Sequence, residues 1–376
     1  MGDPLKKLKM SVRSILKVIY YFFYRLYWFL KPVQKTGKPV AFVLINSKWK
    51  QSFMPFFLSE YQVECLPHHI NIKRIHRKLT KYENKVFVVW GYQSSPTLEP
   101  YAEKYQIPLY RLEDGFIRSV GLGSLRNPPF SLCLDKTGMY FDARRPSDLE
   151  VILNEYDFQA NPTIIKRANA CLKLINEHQI SKYNHVQTQD IHNVYGKKTK
   201  KRVLVVGQVE DDQSIQKGCA KPITNNDLVR MAFQENQDAE IIYKPHPDVL
   251  VGKREKYSDP NDVKDIAKVI EVPLSLNDAC KTIDHVYTIT SLSGFEALLK
   301  GIKVTTVGAP FYSGWGLTDD RQPVPRRMRS LSLLELLAGA YLLYPRYANP
   351  ETGEPLDLED VLQLIIDQKD DDSISV

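Results

Sequence analysis

The stretch Thr290-Ser291-Leu292-Ser293-Gly294 stands between an apolar, β-branched run, His285 to Ile289, and the helix formers Glu296 to Lys300, which stop at Gly301. A buried strand passing through a Ser/Gly turn into a helix start leaves backbone N–H groups unpaired, with the positive end of the helix dipole behind them. Such a start takes an anion, most often a phosphate; a plain serine cap on an α/β helix is the simpler alternative. Lys244-Pro245-His246-Pro247-Asp248 follows a second strand-like run, Ala239 to Tyr243, and its two prolines fix the turn that holds Lys244 and His246. Carboxylates come in two places. Glu113-Asp114 precedes Gly115 and, four residues beyond Asp114, Arg118; Gly207-Gln208 precedes Glu210-Asp211-Asp212. Cations and a helix N-terminus stabilise a departing phosphate, while carboxylates supply a base and a nucleophile.

The elements that must position these groups read as alternating strands and helices. Val40 to Ile45, Lys85 to Gly91, Pro108 to Leu112, Arg202 to Val206, Ala239 to Tyr243, His285 to Ile289 and Lys303 to Val307 are apolar runs of the kind parallel sheets use. Helices are expected over Ser147 to Asn154, Thr163 to His178, Asn226 to Asn236, Leu331 to Tyr344 and Leu356 to Gln368, and a hairpin over Pro128 to Asp142 turning at Lys136-Thr137-Gly138. The candidate groups therefore fall at strand ends, where open α/β sheets bind ligands. The Gly308 to Gly316 loop, with Phe311, Tyr312 and Trp315, follows the last of these strands; a dense aromatic loop in that place usually carries a binding site. The expected organisation is an N-terminal helix over residues 1–37, α/β domains over 38–195 and 196–330 with the active site in the cleft between them, and C-terminal helices with an acidic, disordered tail over 331–376.

The chain is net basic by +7, yet residues 1–50 hold eleven Lys/Arg against one acid, Asp3, so the remainder is net acidic. A nucleic-acid binder carries its positive charge along the working cleft, so this distribution argues against one. Residues 15–30 are apolar and aromatic but broken by Lys17 and Arg25, short of the roughly 20 uncharged residues of a spanning helix. A basic, aromatic helix suits the plane of an anionic membrane surface; packing on the protein's own core is the alternative. The five cysteines form no C-x-x-C pair, which argues against a zinc site and for a reducing compartment. No Walker A, His-Glu-x-x-His, Gly-x-Ser-x-Gly or dinucleotide fingerprint is present. Asp-x-Asp occurs only at Asp370 to Asp372, so a metal-bound diphosphate donor is not indicated. Phosphate ligands with paired carboxylates and no metal motif suit glycosyl transfer from a nucleotide sugar.

The blocks Leu112 to Ser119, Gln208 to Ser214, Lys244 to Asp248, Thr290-Ser291 with Gly294 to Leu299, and Trp315 to Arg321 together resemble the KpsC/LipA-type capsule polysaccharide proteins, over roughly residues 85–365 and in the same order. This chain resembles one module of a family whose capsule-linker enzyme carries two in tandem. The resemblance implies a GT-B-like architecture of two Rossmann-like domains and a retaining β-Kdo transferase that uses CMP-Kdo as donor substrate, with no cofactor. Asp212 matches the family's nucleophile and Glu113, beside Asp114, its acid/base. Lys244, His246, Ser291, Ser293 and Gly294 would hold the donor phosphate and Arg118 a carboxylate, with Gln208, Glu296 and Trp315 completing the substrate contacts. The implied partners are a lipid-linked or Kdo-terminated glycan acceptor, the anionic inner face of the cytoplasmic membrane and other capsule-assembly proteins. Another nucleotide-sugar glycosyltransferase, or a non-catalytic assembly or export factor, are the alternatives.

Overall fold

The computed structural model describes Phe23, Leu26, Tyr27, Leu30 and residues 37–121, 126–182, 184, 189–250 and 257–374. The expected N-terminal helix lies outside these residues but for the four named first, whose side chains are exposed. Gly123, at the end of the first carboxylate block, also lies outside them. The described chain is α/β with two sheets. Its internal contacts divide it at Leu112/Glu113 into two units.

The first unit is a half-Rossmann layer. Strands β1 (Val40–Leu44), β2 (Gln62–Leu66), β3 (Lys85–Trp90) and β4 (Leu109–Asp114) run in the order β2-β1-β3-β4, all parallel, with Val40 facing Gln62 and Lys85, and Phe87 facing Leu109. Every residue of β1 is buried, as a strand covered on both faces requires. Phe42, Phe87 and Tyr101 pack on one side with Leu44, Leu66 and Leu98.

In the second unit, β6 (Arg202–Val206), β7 (Glu240–Lys244), β8 (Lys268–Val269), β9 (His285–Thr288), β10 (Lys303–Thr306) and β11 (Asp319–Asp320) form a parallel sheet of order β11-β10-β9-β6-β7-β8. Chain order reverses between β6 and β9. That is the switch point of a doubly wound sheet, where ligands bind beyond the carboxyl ends of the strands. Gln208 and Thr290 sit just past those two ends.

Three expectations are corrected here. The predicted hairpin over Pro128 to Asp142 is a single strand, β5 (Ser131–Asp135), because the buried Asp135 carboxylate gathers the N–H groups of Thr137, Gly138 and Asp148 and turns the chain toward a helix, Asp148–Glu155. The C-terminal region is not all helical: a helix, Leu333–Leu337, and a π-turn segment lead into β12 (Pro345–Ala348) and β13 (Pro355–Leu356), and β12 pairs antiparallel with β5. The last helix, Leu358–Ile374, carries on through Asp370 to Asp372, which were expected to be disordered. The β12–β5 pairing makes the C-terminal segment part of the second unit, and no division falls at 195/196 or 330/331. The change from one set of strands to the other still falls between β5 and β6.

At the amino end of β9, away from the switch point, His285 is buried beneath Thr305 with its Nε2 2.8 Å from the Thr305 hydroxyl, and its Nδ1 is buried without a partner. Burial, then Lys303 and Lys201, lower its pKa to about 4. The unfolded chain takes up this proton near the ordinary histidine value while the folded protein does so only near 4. Stability is therefore whole above pH 6.5 and declines as pH falls toward 4, by about 3 kcal/mol in all. Urea midpoints at pH 7.5 and 4.5 should show this loss in the parent and a clearly smaller one in His285→Gln; equal losses would refute the assignment.

Candidate active site

At the switch point Gln208 ties the two central strands together. Its Oε1 accepts the Thr290 N–H at 2.7 Å and its Nε2 donates to the Thr290 hydroxyl at 3.1 Å. Asn225 fixes the Gln208 backbone from the other side, accepting its N–H and donating to its carbonyl. Thr290 Oγ1 donates in turn to Ser214 at 3.3 Å. The Gln208 side chain thus clasps the two strand ends in register, with one N–H of its amide still uncommitted among the described residues.

Asp212 is the N-cap of the helix Gln213–Gly218, its Oδ1 accepting the Ser214 N–H at 2.8 Å, and its carboxylate is exposed. Glu113 and Asp114 close β4, and Glu113 accepts the Asp114 N–H at 3.1 Å. The Arg118 guanidinium, 1% exposed, lies with Nε 3.0 Å from Asp114 Oδ2. The two are not aligned as donor and acceptor, and Asp114 Oδ1 is buried with no partner, so the pair is Coulombic. Tyr140, half-buried, connects the two carboxylate groups: Glu113, Asp114 and Asp212 all act on it electrostatically. Side chains ninety-nine residues apart in the sequence therefore act on one ring.

The helix Leu292–Leu299 begins where the anion site was expected, but two residues earlier in its register than a turn at Gly294 implies. Ser291 is the N-cap; its hydroxyl accepts the Ser293 N–H at 3.2 Å and its carbonyl the Gly294 N–H at 3.0 Å. Much of the first turn thereby satisfies itself. Gly294 is helical, and its lack of a side chain admits Tyr312: a Cβ there would stand 2.2 Å from the tyrosine oxygen. Tyr312 donates to the Ser291 carbonyl at 2.5 Å, bracing the helix start. The Ser293 hydroxyl carries no hydrogen bond among the described residues.

Lys244 ends β7 with no ion pair or hydrogen bond on its ammonium among the described residues, and a desolvated surround lowers its pKa. An unspent, desolvated cation needs an anion, and a ligand phosphate would supply one. His246 accepts the Asp248 N–H on Nδ1 at 3.1 Å, which leaves Nε2 to carry the proton of the neutral ring. Glu296 is buried, accepts the Lys182 N–H at 2.8 Å, and burial pushes its pKa up to about 7. It anchors the segment holding Ser181, Lys182 and Asn184, which Asn184 pins to Ser119 and Val120.

Trp315 is displaced from its expected role. Its ring is wholly buried and its Nε1–H donates to the Phe311 carbonyl at 2.8 Å, so it holds the aromatic loop together rather than facing a ligand. Two residues escaped the sequence reading. Tyr140 carries no motif and is brought to the carboxylates only by the fold. Lys182, which no motif singled out, acts on both Cys133 and Glu296.

A Rossmann-type switch point with carboxylates at strand ends, an unspent lysine and a braced helix start is a layout that suits group transfer in an α/β protein. The chain belongs to the capsule polysaccharide biosynthesis protein family, whose model matches residues 85–347. It is 45% identical over 332 residues to the lipopolysaccharide-processing protein LpsZ of Rhizobium meliloti, covering 88% of this chain and 75% of that one. It is 44% identical over 282 residues to the capsule polysaccharide modification protein LipA of Neisseria meningitidis serogroup B, covering 75% of this chain but only 39% of LipA. Among solved structures, it matches the β-Kdo 2,4 transferase of Thermosulfurimonas dismutans KpsC with a TM-score of 0.74 at 35% identity, over 88% of this chain and 99% of that one. The β-Kdo 2,7 transferase of the same KpsC matches with a TM-score of 0.68 at 33% identity, over 88% and 100%.

Proposed function

We propose that the protein is a retaining β-Kdo transferase of capsule or surface polysaccharide synthesis, taking Kdo from CMP-Kdo on a GT-B-like plan. Asp212 attacks the anomeric carbon, CMP leaves, and a Kdo ester of Asp212 forms. Glu113 then takes the proton of the acceptor hydroxyl as its oxygen displaces Asp212, and two inversions give retention. Lys244, with His246 and the Ser291–Ser293 helix start, carries the single phosphate of the leaving CMP. Arg118 pairs with Asp114 beside Glu113. The observation that carries this reading is a switch point that leaves Lys244 unspent, with Asp212, Glu113 and Asp114 all acting electrostatically on Tyr140. The two KpsC transferase structures, each matched over nearly their whole length, support the choice of sugar.

The test is a donor panel. CMP-Kdo, CMP-sialate and UDP-sugars are offered with lipid-linked and Kdo-terminated acceptors, and CMP or UDP release is followed. Turnover with CMP-Kdo alone is expected; turnover only with another donor would replace the sugar, and none with any donor would favour an assembly factor.

A peripheral position on the anionic inner face of the cytoplasmic membrane is part of this proposal, supported by the basic composition of residues 1–37. Among the described residues no helix is long and apolar enough to cross a membrane. Sedimentation with anionic vesicles should be lost on removal of residues 1–37, and retention by the shortened protein would refute the assignment.

A further inference from the structure

Tyr140 has no assigned part in the reaction just proposed, yet it is held at its centre. Its ring is fixed by edge-to-face contacts with Phe116 at 4.9 Å, Phe311 at 5.9 Å and Tyr344 at 6.2 Å. Phe116 is two residues beyond Asp114 on the carboxylate block. The next residue, Phe141, closes against the helix that Asp212 caps: its carbonyl oxygen would lie 3.5 Å from a Cβ placed on Gly218. The ring therefore packs on the block carrying Glu113 and Asp114, and the next residue's backbone lies beside the last residue of the helix that Asp212 caps. The residue is half-buried, and its hydroxyl has no hydrogen bond to any described residue, which leaves the O–H free for a ligand.

The charged and titratable groups facing it are Glu113 and Asp114 from β4, Cys133 from β5 and Asp212 from the helix start. Burial, and then these groups, push the phenol well above its ordinary range, which keeps it a neutral O–H donor. At position 140 a cation would pair with the carboxylates and an anion would add to their repulsion of an acidic ligand, whereas a neutral phenol bonded to none of them keeps its O–H for that ligand.

We infer that Tyr140 is a further catalytic residue of this site, its phenol O–H donating a hydrogen bond to the acidic sugar as that sugar passes between Asp212 and Glu113. The inference rests on the transferase reading above and adds a residue that discriminates for an anionic sugar. Tyr140→Phe keeps every ring contact and removes only the donor. A hydrogen bond to a charged group lost in this way should lower kcat/KM with CMP-Kdo about 10- to 100-fold, in acceptor transfer and in slow hydrolysis without acceptor alike. CMP binding should stay within about twofold, because the nucleotide is held elsewhere, and the thermal midpoint should stay within about 2 °C, because the packing is kept.

Each outcome decides. A Phe variant as active as the parent overturns the inference and leaves the transferase reading intact. So does a Phe variant that loses CMP affinity as much as it loses rate, since its effect would then be on the nucleotide. A parent protein that releases no CMP from CMP-Kdo, with or without acceptor, removes the transferase reading and this inference with it.

Discussion

Asp212→Asn is expected to lower sugar transfer from CMP-Kdo by at least about a thousand-fold while leaving the fold and CMP binding as they are. The substitution is unusually clean because of where Asp212 sits. Its structural duty is to cap the helix Gln213–Gly218 through one oxygen, which accepts the Ser214 N–H. Asparagine caps a helix start as well as aspartate does, so the backbone beyond it loses nothing. The second oxygen, which carries no hydrogen bond among the described residues, is what the proposed chemistry uses, and an amide there is a far poorer nucleophile than a carboxylate. Two measurements separate chemistry from binding. CMP release reports turnover, and intact mass after rapid quenching should show one added Kdo on the parent and none on the variant. An Asn variant retaining more than about a tenth of parental transfer would take Asp212 out of the mechanism. Asp211→Asn is the matched control: its neighbouring carboxylate is not the helix cap, and its activity should stay within a few-fold of the parent.

The elements that carry this site were legible because their chemistry is local. Arg202–Val206 and His285–Thr288 are buried runs rich in β-branched residues, and a strand buried on both faces needs little else to announce it. Ser291 as a helix start and Asp212 at a strand end follow from capping chemistry and chain order in the same way. What stayed hidden depends on contacts distant in sequence. Pro345–Ala348 has neither alternation nor an apolar run; it is a strand because β5 offers it an edge some two hundred residues earlier. Gly294 read as the glycine of a phosphate turn, and its true constraint is Tyr312, eighteen positions on. Trp315 and Phe311 read as a ligand-binding loop because aromatic residues beside glycines mark both binding loops and tightly folded cores. The difference lies in whether their polar atoms are already spent, and Trp315 spends its own on Phe311. Tyr140 is the opposite case, an unremarked tyrosine whose hydroxyl is left over.

That same aromatic loop is where the largest stability effect should lie. Glu150, 6% exposed, receives Arg326 Nε at 2.7 Å and Arg327 Nε at 3.1 Å. Arg327 in turn donates to the Pro310 carbonyl at 2.5 Å and to the Ser313 carbonyl and hydroxyl at 2.7 and 2.9 Å, and its guanidinium faces the Trp315 ring at 5.8 Å. Gly314, at φ +83°, passes close against its side chain, where a Cβ would meet Arg327 Cδ at 3.0 Å. One buried cation thus organises the turn from Pro310 to Trp315, and Glu150 is the carboxylate that balances it. Glu150→Ala should cost about 3–5 kcal/mol, because the loss is not the worth of a salt bridge but the cost of leaving Arg327 charged and unpaired in the interior. In a unit of this size that is a fall in thermal midpoint on the order of 10 °C. Glu150→Gln keeps an acceptor for the guanidinium and should lose about half as much. If Glu150→Ala melts within 2 °C of the parent, Arg327 is balanced by something other than Glu150. The effect should also reach the site, since Tyr312 lies in this turn and braces Ser291 through its carbonyl. At a temperature where Glu150→Ala remains folded, its CMP affinity should therefore fall more than its susceptibility to proteolysis rises.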